Sequence, residues 1–252
     1  MSTDSIQTKD ARSGALPVLL LIPGMLNTGR IWSRVVPLLQ GLADVRIADV
    51  TRQSSIAEMA KDAWNQVSDV PADQHLAVCG FSMGGYVALD LFATYIIANN
   101  ARYLYALGLL NTSSRGETAQ GMVDRGKTIA ALEKNFERVI QGIAGFGIHP
   151  SHNADEALMT EILSIMREAG ANTAIRQLRA IMARSDQRSV LPRIAARTLV
   201  MTSRHDRVVP AEASHELATQ IPEARLEWIE PAGHMTPLEQ PAQLATLLKT
   251  IL

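Results

Sequence analysis

Three residues of this chain have the types and the chain order that nucleophilic catalysis by a hydroxyl group requires. Ser82 is followed by Asp206 and then by His234. A serine hydroxyl is a weak nucleophile at neutral pH and needs a base within hydrogen-bonding distance. A histidine can be that base, and a carboxylate can fix its tautomer and stabilise its cation. If the fold brings the three together, the chemistry predicted is attack on an acyl carbonyl.

Ser82 lies in the pattern Gly-x-Ser-x-Gly, between a strand-like apolar segment (His75–Cys79) and one typical of a buried helix (Tyr86–Phe92). This pattern at a strand-to-helix turn is typical of a nucleophile elbow. Gly80 and Gly84 lack a Cβ, so the strand and the helix can approach closely around the serine. The start of the helix also favours negative charge near the hydroxyl. The alternative is a turn rich in glycine and serine that does no chemistry.

Asp206 and His234 each follow an apolar segment typical of a strand. The order Ser, then Asp or Glu, then His is the order found when such a triad is built on an α/β sheet. The alternative for Asp206 is a solvated carboxylate paired with Arg204 or Arg207. The alternative for His234 is an exposed histidine in a turn rich in glycine and proline.

Acyl transfer also needs hydrogen-bond donors for the tetrahedral oxyanion, each worth roughly 3–4 kcal/mol. We expect the backbone N–H groups of Met83, the residue after the nucleophile, and of Met25, in the loop after the first strand. Only backbone is needed, so the two methionine side chains are free to line an apolar pocket; the alternative is ordinary core packing. Leu26, Trp32 and the helices of the insertion described below are expected to shape that pocket.

Apolar segments and helical periodicity alternate over most of the chain. The predicted strands are Pro17–Ile22, Val45–Ala48, His75–Cys79, Tyr103–Leu110, Thr198–Thr202 and Leu226–Ile229. The predicted helices are Ile31–Gly41, Ser55–Val70, a helix from the elbow to about Asn99–Asn100, Ala211–Gln220 and Ala242–Leu252. This alternation predicts an α/β fold with a mostly parallel central sheet flanked by helices. Ligands of such sheets bind outside the carboxyl ends of the strands, where all the candidate residues lie.

The alternation stops between residues 117 and 191, where only helical periodicity is found. We therefore predict a core formed by residues 1–116 and 192–252, into which a helical cap, 117–191, is inserted. The insertion has balanced charge, which weakly disfavours a phosphate-rich ligand.

Composition limits the classes of partner. The chain has 252 residues, 47% hydrophobic and 19% charged, with a net charge of −1. This balance suggests neither nucleic acid nor an anionic membrane as a partner. Cys79 is the single cysteine, which fits a reducing compartment, and no secretory signal or transmembrane run is found, so a cytoplasmic location is expected. No residues have the spacing of metal ligands, so neither a metal nor a cofactor is predicted. The sequence leaves the oligomeric state open.

With these segments placed, the chain resembles the α/β-hydrolase superfamily over nearly its whole length. Pro23-Gly24-Met25 is similar to the oxyanion loop of that family, and the segment around Ser82 is similar to its elbow. Residues 204–210 and 233–241 are similar to its acid and histidine loops, and the insertion is similar to its helical cap. Two features depart from the pattern: Pro23 stands where many members have histidine, and few residues precede Pro17 for the antiparallel hairpin that many members have.

The resemblance and the triad together predict a cofactor-independent serine hydrolase that cleaves small to medium carboxylic esters through an acyl-enzyme. Ser82 would attack, His234 would be the base, and Asp206 would orient His234. A carbon–carbon bond hydrolase, a lactonase, a perhydrolase and an acyltransferase remain open because they use the same three residues. A ligand receptor with slow turnover and a non-catalytic interaction protein are alternatives from other classes.

Overall fold

The computed structural model describes residues 15–97 and 104–252. Six strands form one sheet: β1 (Val18–Ile22), β2 (Asp44–Ile47), β3 (Leu76–Phe81), β4 (Ala106–Leu110), β5 (Arg197–Thr202) and β6 (Arg225–Trp228). Their order is β2-β1-β3-β4-β5-β6, and every neighbouring pair is parallel. The predicted parallel sheet is confirmed, and the carboxyl ends of all six strands lie at one edge.

The described residues form nine α-helices. They are α1 (Ile56–Asn65), α2 (Met83–Leu91), α3 (Ala119–Lys134), α4 (Phe136–Gly147), α5 (Glu156–Ala169), α6 (Ala171–Met182), α7 (Ala211–Gln220), α8 (Thr236–Glu239) and α9 (Pro241–Lys249). Helices α1, α2 and α7 pack on one face of the sheet, and α9 packs on the other.

The burial of both faces explains the continuous apolar runs in the sequence. Side chains alternate between the two faces of a strand. In β1, Leu19 and Leu21 enter one core, while Val18, Leu20 and Ile22 enter the other, and all five are fully buried. A strand covered by helices on both sides has no solvent face, so it shows no polar alternation.

The predicted helix over Ile31–Gly41 is wrong. The structure has two short 3₁₀ helices there, Gly29–Trp32 and Val36–Leu39. Pro37 has no N–H to donate to a carbonyl one turn earlier, so an α-helix cannot continue through this segment.

Two other helix predictions differ at their ends. Ser55 caps α1 by accepting a hydrogen bond from the N–H of Glu58, but the helix ends at Asn65, short of the predicted Val70, and turns follow. Helix α2 continues into a π-helical segment, Phe92–Ile97. Its predicted end near Asn99–Asn100 and the predicted strand start at Tyr103 lie outside the described residues.

Residues 117–191, which we call the helical segment, contain α3 to α6 and no strand. Three of these helices begin with a capping side chain: Thr118 for α3, Asn135 for α4 and Asp155 for α5. Such caps satisfy N–H groups that the first helical turn leaves unpaired. Among the described residues, no helix has both the length and the apolar character needed to cross a membrane.

Candidate active site

The turn at Ser82 joins β3 to α2 in a strained conformation. Ser82 has φ 53° and ψ −118°, outside the regions that non-glycine residues usually adopt. Its backbone N–H donates to Leu110 O (2.9 Å), and its carbonyl accepts from the Thr112 hydroxyl (2.7 Å) and from Gly85 N–H (2.9 Å). These bonds to the end of β4 and the start of α2 hold the strain, which is a feature of functional turns.

Glycines on both sides of Ser82 allow the turn to pack. A Cβ on Gly84 would lie 2.2 Å from the carbonyl oxygen of Ile22, and one on Gly80 would lie 2.2 Å from that of Gly84. Backbone atoms cannot move aside as a flexible side chain can. The close approach of strand and helix that the sequence predicts at Gly80 and Gly84 is therefore present in the structure.

The structure brings Ser82, His234 and Asp206 together. Ser82 Oγ lies 2.9 Å from Nε2 of His234, and Nδ1 of His234 lies 2.9 Å from Oδ2 of Asp206. With Nδ1–H donating to the carboxylate, Nε2 is left free to accept the serine proton. Asp206 and His234 are both buried, so neither is the solvated loop residue of the alternative interpretation.

Several interactions keep Asp206 ionised. Burial alone raises the pKa of this carboxyl group, but the charge and hydrogen bond of His234, with further donors, hold the pKa below its ordinary value. Oδ1 accepts from the backbone N–H groups of Val208 (2.8 Å) and Val209 (2.9 Å), and Oδ2 accepts from the Asn111 amide (2.9 Å). The carboxylate is therefore charged at neutral pH and can stabilise a histidine cation.

Asn111 was not singled out by the sequence analysis. It follows β4 directly, has φ 47°, and is fully buried. Its Oδ1 accepts the Thr236 hydroxyl (2.9 Å), so its amide group joins the acid loop to the histidine loop. An asparagine just past a parallel strand was the available signal, because asparagine tolerates positive φ and carries both a donor and an acceptor.

The expected oxyanion donors lie on the two segments that adjoin Ser82. Met83 is the first residue of α2, where the backbone N–H has no acceptor within the helix. The loop with Met25 lies against the serine, since a Cβ on Gly24 would be 3.1 Å from Ser82 Cβ. The roles of both N–H groups remain predictions.

A glutamine from the helical segment holds the loop that contains Met25. Gln177, fully buried in α6, accepts the Leu26 N–H through Oε1 (2.9 Å) and donates through Nε2 to Val50 O (2.9 Å). Leu26 has φ 58°, so its strained backbone is fixed by this contact. A polar residue on the apolar face of a predicted helix was the only sequence signal for it.

Leu26 and Trp32, expected to shape the pocket, are both fully buried. The Trp32 ring meets Phe81 edge-on, with centroids 6.2 Å apart, and the Phe81 ring lies 5.2 Å from that of His234. Trp32 therefore packs against Phe81, the ring that contacts His234. Contact of either residue with a substrate stays a prediction.

The histidine loop is tied to the helical segment. The N–H of His234 donates to Gly147 O at the end of α4 (2.6 Å). The Glu239 carboxylate, whose side chain is fully buried, accepts from the N–H groups of Gly233 (2.9 Å) and His149 (2.7 Å) and contacts Nδ1 of His152 (2.8 Å). The end of α4 and helix α8, which are far apart in the sequence, thus hold the loop that carries His234.

An open parallel sheet with a strained Ser82 at the end of its third strand, and a buried acid and histidine beside it, is the arrangement of α/β hydrolases. A sequence model described as the alpha/beta hydrolase family matches residues 19–247. The chain belongs to this family, which confirms the resemblance, the fold class and the hydrolase class predicted from the sequence.

Curated relatives and solved structures agree with this assignment. The chain is 24% identical over 240 residues to a pimeloyl-[acyl-carrier protein] methyl ester esterase of Nitrosomonas europaea, covering 93% of this chain and 95% of that protein. It is 25% identical to a putative carbamate hydrolase, RutD, of Pseudomonas savastanoi pv. phaseolicola, covering 89% of each. The enol-lactonase of Burkholderia xenovorans LB400 has the same fold, with a TM-score of 0.81 at 18% identity, over 95% of this chain and 92% of that one.

Proposed function

We propose that the chain is a serine hydrolase that cleaves small to medium carboxylic esters through an acyl-enzyme. The continuous line of hydrogen bonds from Ser82 through His234 to Asp206 is the observation that carries this proposal. The esterase names of curated relatives support the ester as substrate.

In the proposed mechanism, Ser82 Oγ attacks the acyl carbonyl while Nε2 of His234 takes its proton. The N–H groups of Met25 and Met83 hold the oxyanion, and Asp206 stabilises the histidine cation. His234 then protonates the departing alcohol, and the acyl group remains on Ser82. Water, deprotonated by His234, releases the acid and restores the serine. No metal or cofactor takes part in these steps.

The helical segment is proposed to act as a cap over the substrate, on a core formed by residues 1–116 and 192–252. Its hydrogen bonds to the loops beside Ser82, made by Gln177 and by Gly147, support this role. We expect Leu26 and Trp32 to help shape the pocket that receives the acyl chain. Because Cys79 is buried and is the single cysteine, we place the reaction in the reducing cytoplasm.

A carbamate is a second candidate substrate, favoured by the carbamate hydrolase among the relatives. Lactones, carbon–carbon bonds, peracid formation and acyl transfer to another alcohol would use the same three residues. A slow-turnover receptor would keep the pocket and lose most of the rate.

The test is hydrolysis of p-nitrophenyl esters from acetate to decanoate by the wild type and by Ser82→Ala. We expect turnover that peaks at one chain length and falls more than about 10³-fold in the variant. Ser68→Ala is the matched control, because Ser68 is exposed and its hydroxyl donates to Asn65 O within its own turn. Equal turnover by wild type and Ser82→Ala would refute the proposal, and absence of turnover on every ester would favour the alternatives.

A further inference from the structure

We propose that the chain binds a divalent transition-metal ion, best matched by Zn²⁺, between His149, His205 and Glu230. One ring nitrogen of each histidine and one carboxylate oxygen lie within 4.8 Å of one another. This cluster takes no part in the serine chemistry proposed above and does not depend on it.

The three residues come from three segments that meet beside the triad. His149 follows α4 in the helical segment, His205 immediately precedes Asp206, and Glu230 lies between β6 and His234. Because the ligands are far apart in the sequence, no spacing motif announces them. Only the fold brings them together.

One of the distances between ligand atoms is already close to that found around a bound zinc ion. Zinc bonds of about 2.1 Å with tetrahedral angles place neighbouring ligand atoms ~3.4 Å apart. His205 Nδ1 lies 3.7 Å from Oε2 of Glu230. The His149 and His205 rings meet edge-to-face with centroids 4.2 Å apart. The His205 side chain is 50% exposed, so its ring can rotate and bring its nitrogen closer to the other two ligand atoms.

Neighbouring groups orient two of the three ligands, as is usual around metal sites. Oε1 of Glu230 accepts the Arg204 N–H (2.6 Å), which leaves Oε2 for the ion. Nδ1 of His149 lies 2.7 Å from the Ser151 hydroxyl. Binding through Nε2 puts the proton on Nδ1, which then donates to this hydroxyl and gives up the bond that it accepts from Ser151 N–H.

The chemistry of the three groups selects the ion. Two imidazoles and one carboxylate form the donor set of a zinc site whose fourth position is open to water. Ca²⁺ and Mg²⁺ prefer oxygen ligands and are disfavoured here.

An ion at this position would join the helical segment to the two loops that carry Asp206 and His234. Since a metal that binds the folded chain stabilises it, Zn²⁺ should raise the melting temperature. It should also couple the position of α4 to that of the acid loop.

The test is calorimetric titration of the untagged, chelator-treated protein with ZnSO₄, with Co²⁺ absorbance as a second probe. We expect one Zn²⁺ per chain, a tetrahedral Co²⁺ spectrum, and no binding of Mg²⁺ or Ca²⁺. His205→Ala and Glu230→Gln should each weaken Zn²⁺ binding by at least about tenfold. His75→Ala is the matched control, since its ring stacks on Tyr105 at the amino ends of the strands.

Three outcomes would overturn the proposal: no Zn²⁺ binding by the wild type, unchanged binding in both ligand variants, or loss of binding in His234→Ala alone, which would place the ion at the triad. Melting temperatures without metal show whether each variant is folded. Because the readout is metal binding, failure here is distinguishable from failure of the ester-hydrolase proposal.

Discussion

The Nδ2 amide of Asn111 lies 2.9 Å from Oδ2 of Asp206, the same carboxylate oxygen that His234 contacts. Asn111 also accepts the Thr236 hydroxyl, so it fixes the acid loop and the histidine loop relative to each other. Its positive φ restricts the useful substitutions, because residues other than glycine, asparagine and aspartate add backbone strain there.

Asn111→Gly removes the amide without straining the backbone. We expect kcat for an ester substrate to fall about tenfold, the value of one hydrogen bond to a charged group. Asn111→Asp should lose more, because a second carboxylate beside Asp206 disfavours its charged form. Steady-state kinetics measure both, with Asn65→Gly on the exposed end of α1 as the control. Wild-type kcat in Asn111→Gly would show that the amide does not position the acid.

Gln177→Met tests the contact between α6 and the loop that contains Met25. The substitution keeps the volume but leaves the Leu26 N–H without its acceptor, which costs about 1–3 kcal/mol of unfolding free energy. If the loop carries an oxyanion donor, kcat should fall roughly tenfold or more while KM changes little, since the donor acts in the transition state.

Gln120→Met, at an exposed position of α3, is the control for Gln177→Met. Reduced stability with an unchanged kcat would make Gln177 a purely structural residue.

The low pKa of Asp206 predicts how stability depends on pH. Its folded-state pKa is below the unfolded value, so its contribution is complete above the unfolded pKa and disappears as pH falls through the folded pKa. Asp206→Asn should therefore be less stable than the wild type at pH 7, and the difference should shrink in acid below about pH 4. Urea unfolding at both pH values measures it. A difference that grows on acidification would contradict the assigned direction.

Two glycines in helices should respond to alanine in opposite ways. Gly84→Ala places a Cβ against the carbonyl oxygens of Ile22 (2.2 Å) and Pro23 (2.7 Å), so we expect a loss of about 3 kcal/mol or more. A Cβ on Gly126, in α3, meets nothing within 4 Å, so Gly126→Ala should stabilise by up to about 1 kcal/mol. Denaturant midpoints compare the two. Equal effects would mean that helix propensity, and not contact with β1, determines the stability change in both variants.

Local patterns in the sequence were sufficient for the parallel sheet. Runs such as Val18–Ile22 are apolar because helices cover both faces of the sheet. A strand of this kind can therefore be identified directly as a continuous apolar run in the sequence. The elbow was visible for a similar reason, since the steric demand for glycine at Gly80 and Gly84 acts within a few residues of Ser82. Ser82, Asp206 and His234 each follow an apolar segment, which predicted that all three lie at the carboxyl ends of strands.

What only the tertiary structure decided are the contacts between distant segments. The bond from Gln177 to Leu26, the bridge of Glu239 to His149, and the contact of the His149 ring with the His205 ring join residues with no periodic relationship. Each depends on where a helix of the helical segment lies against the core. That position follows from the packing of whole apolar faces, which helical periodicity identifies but cannot orient.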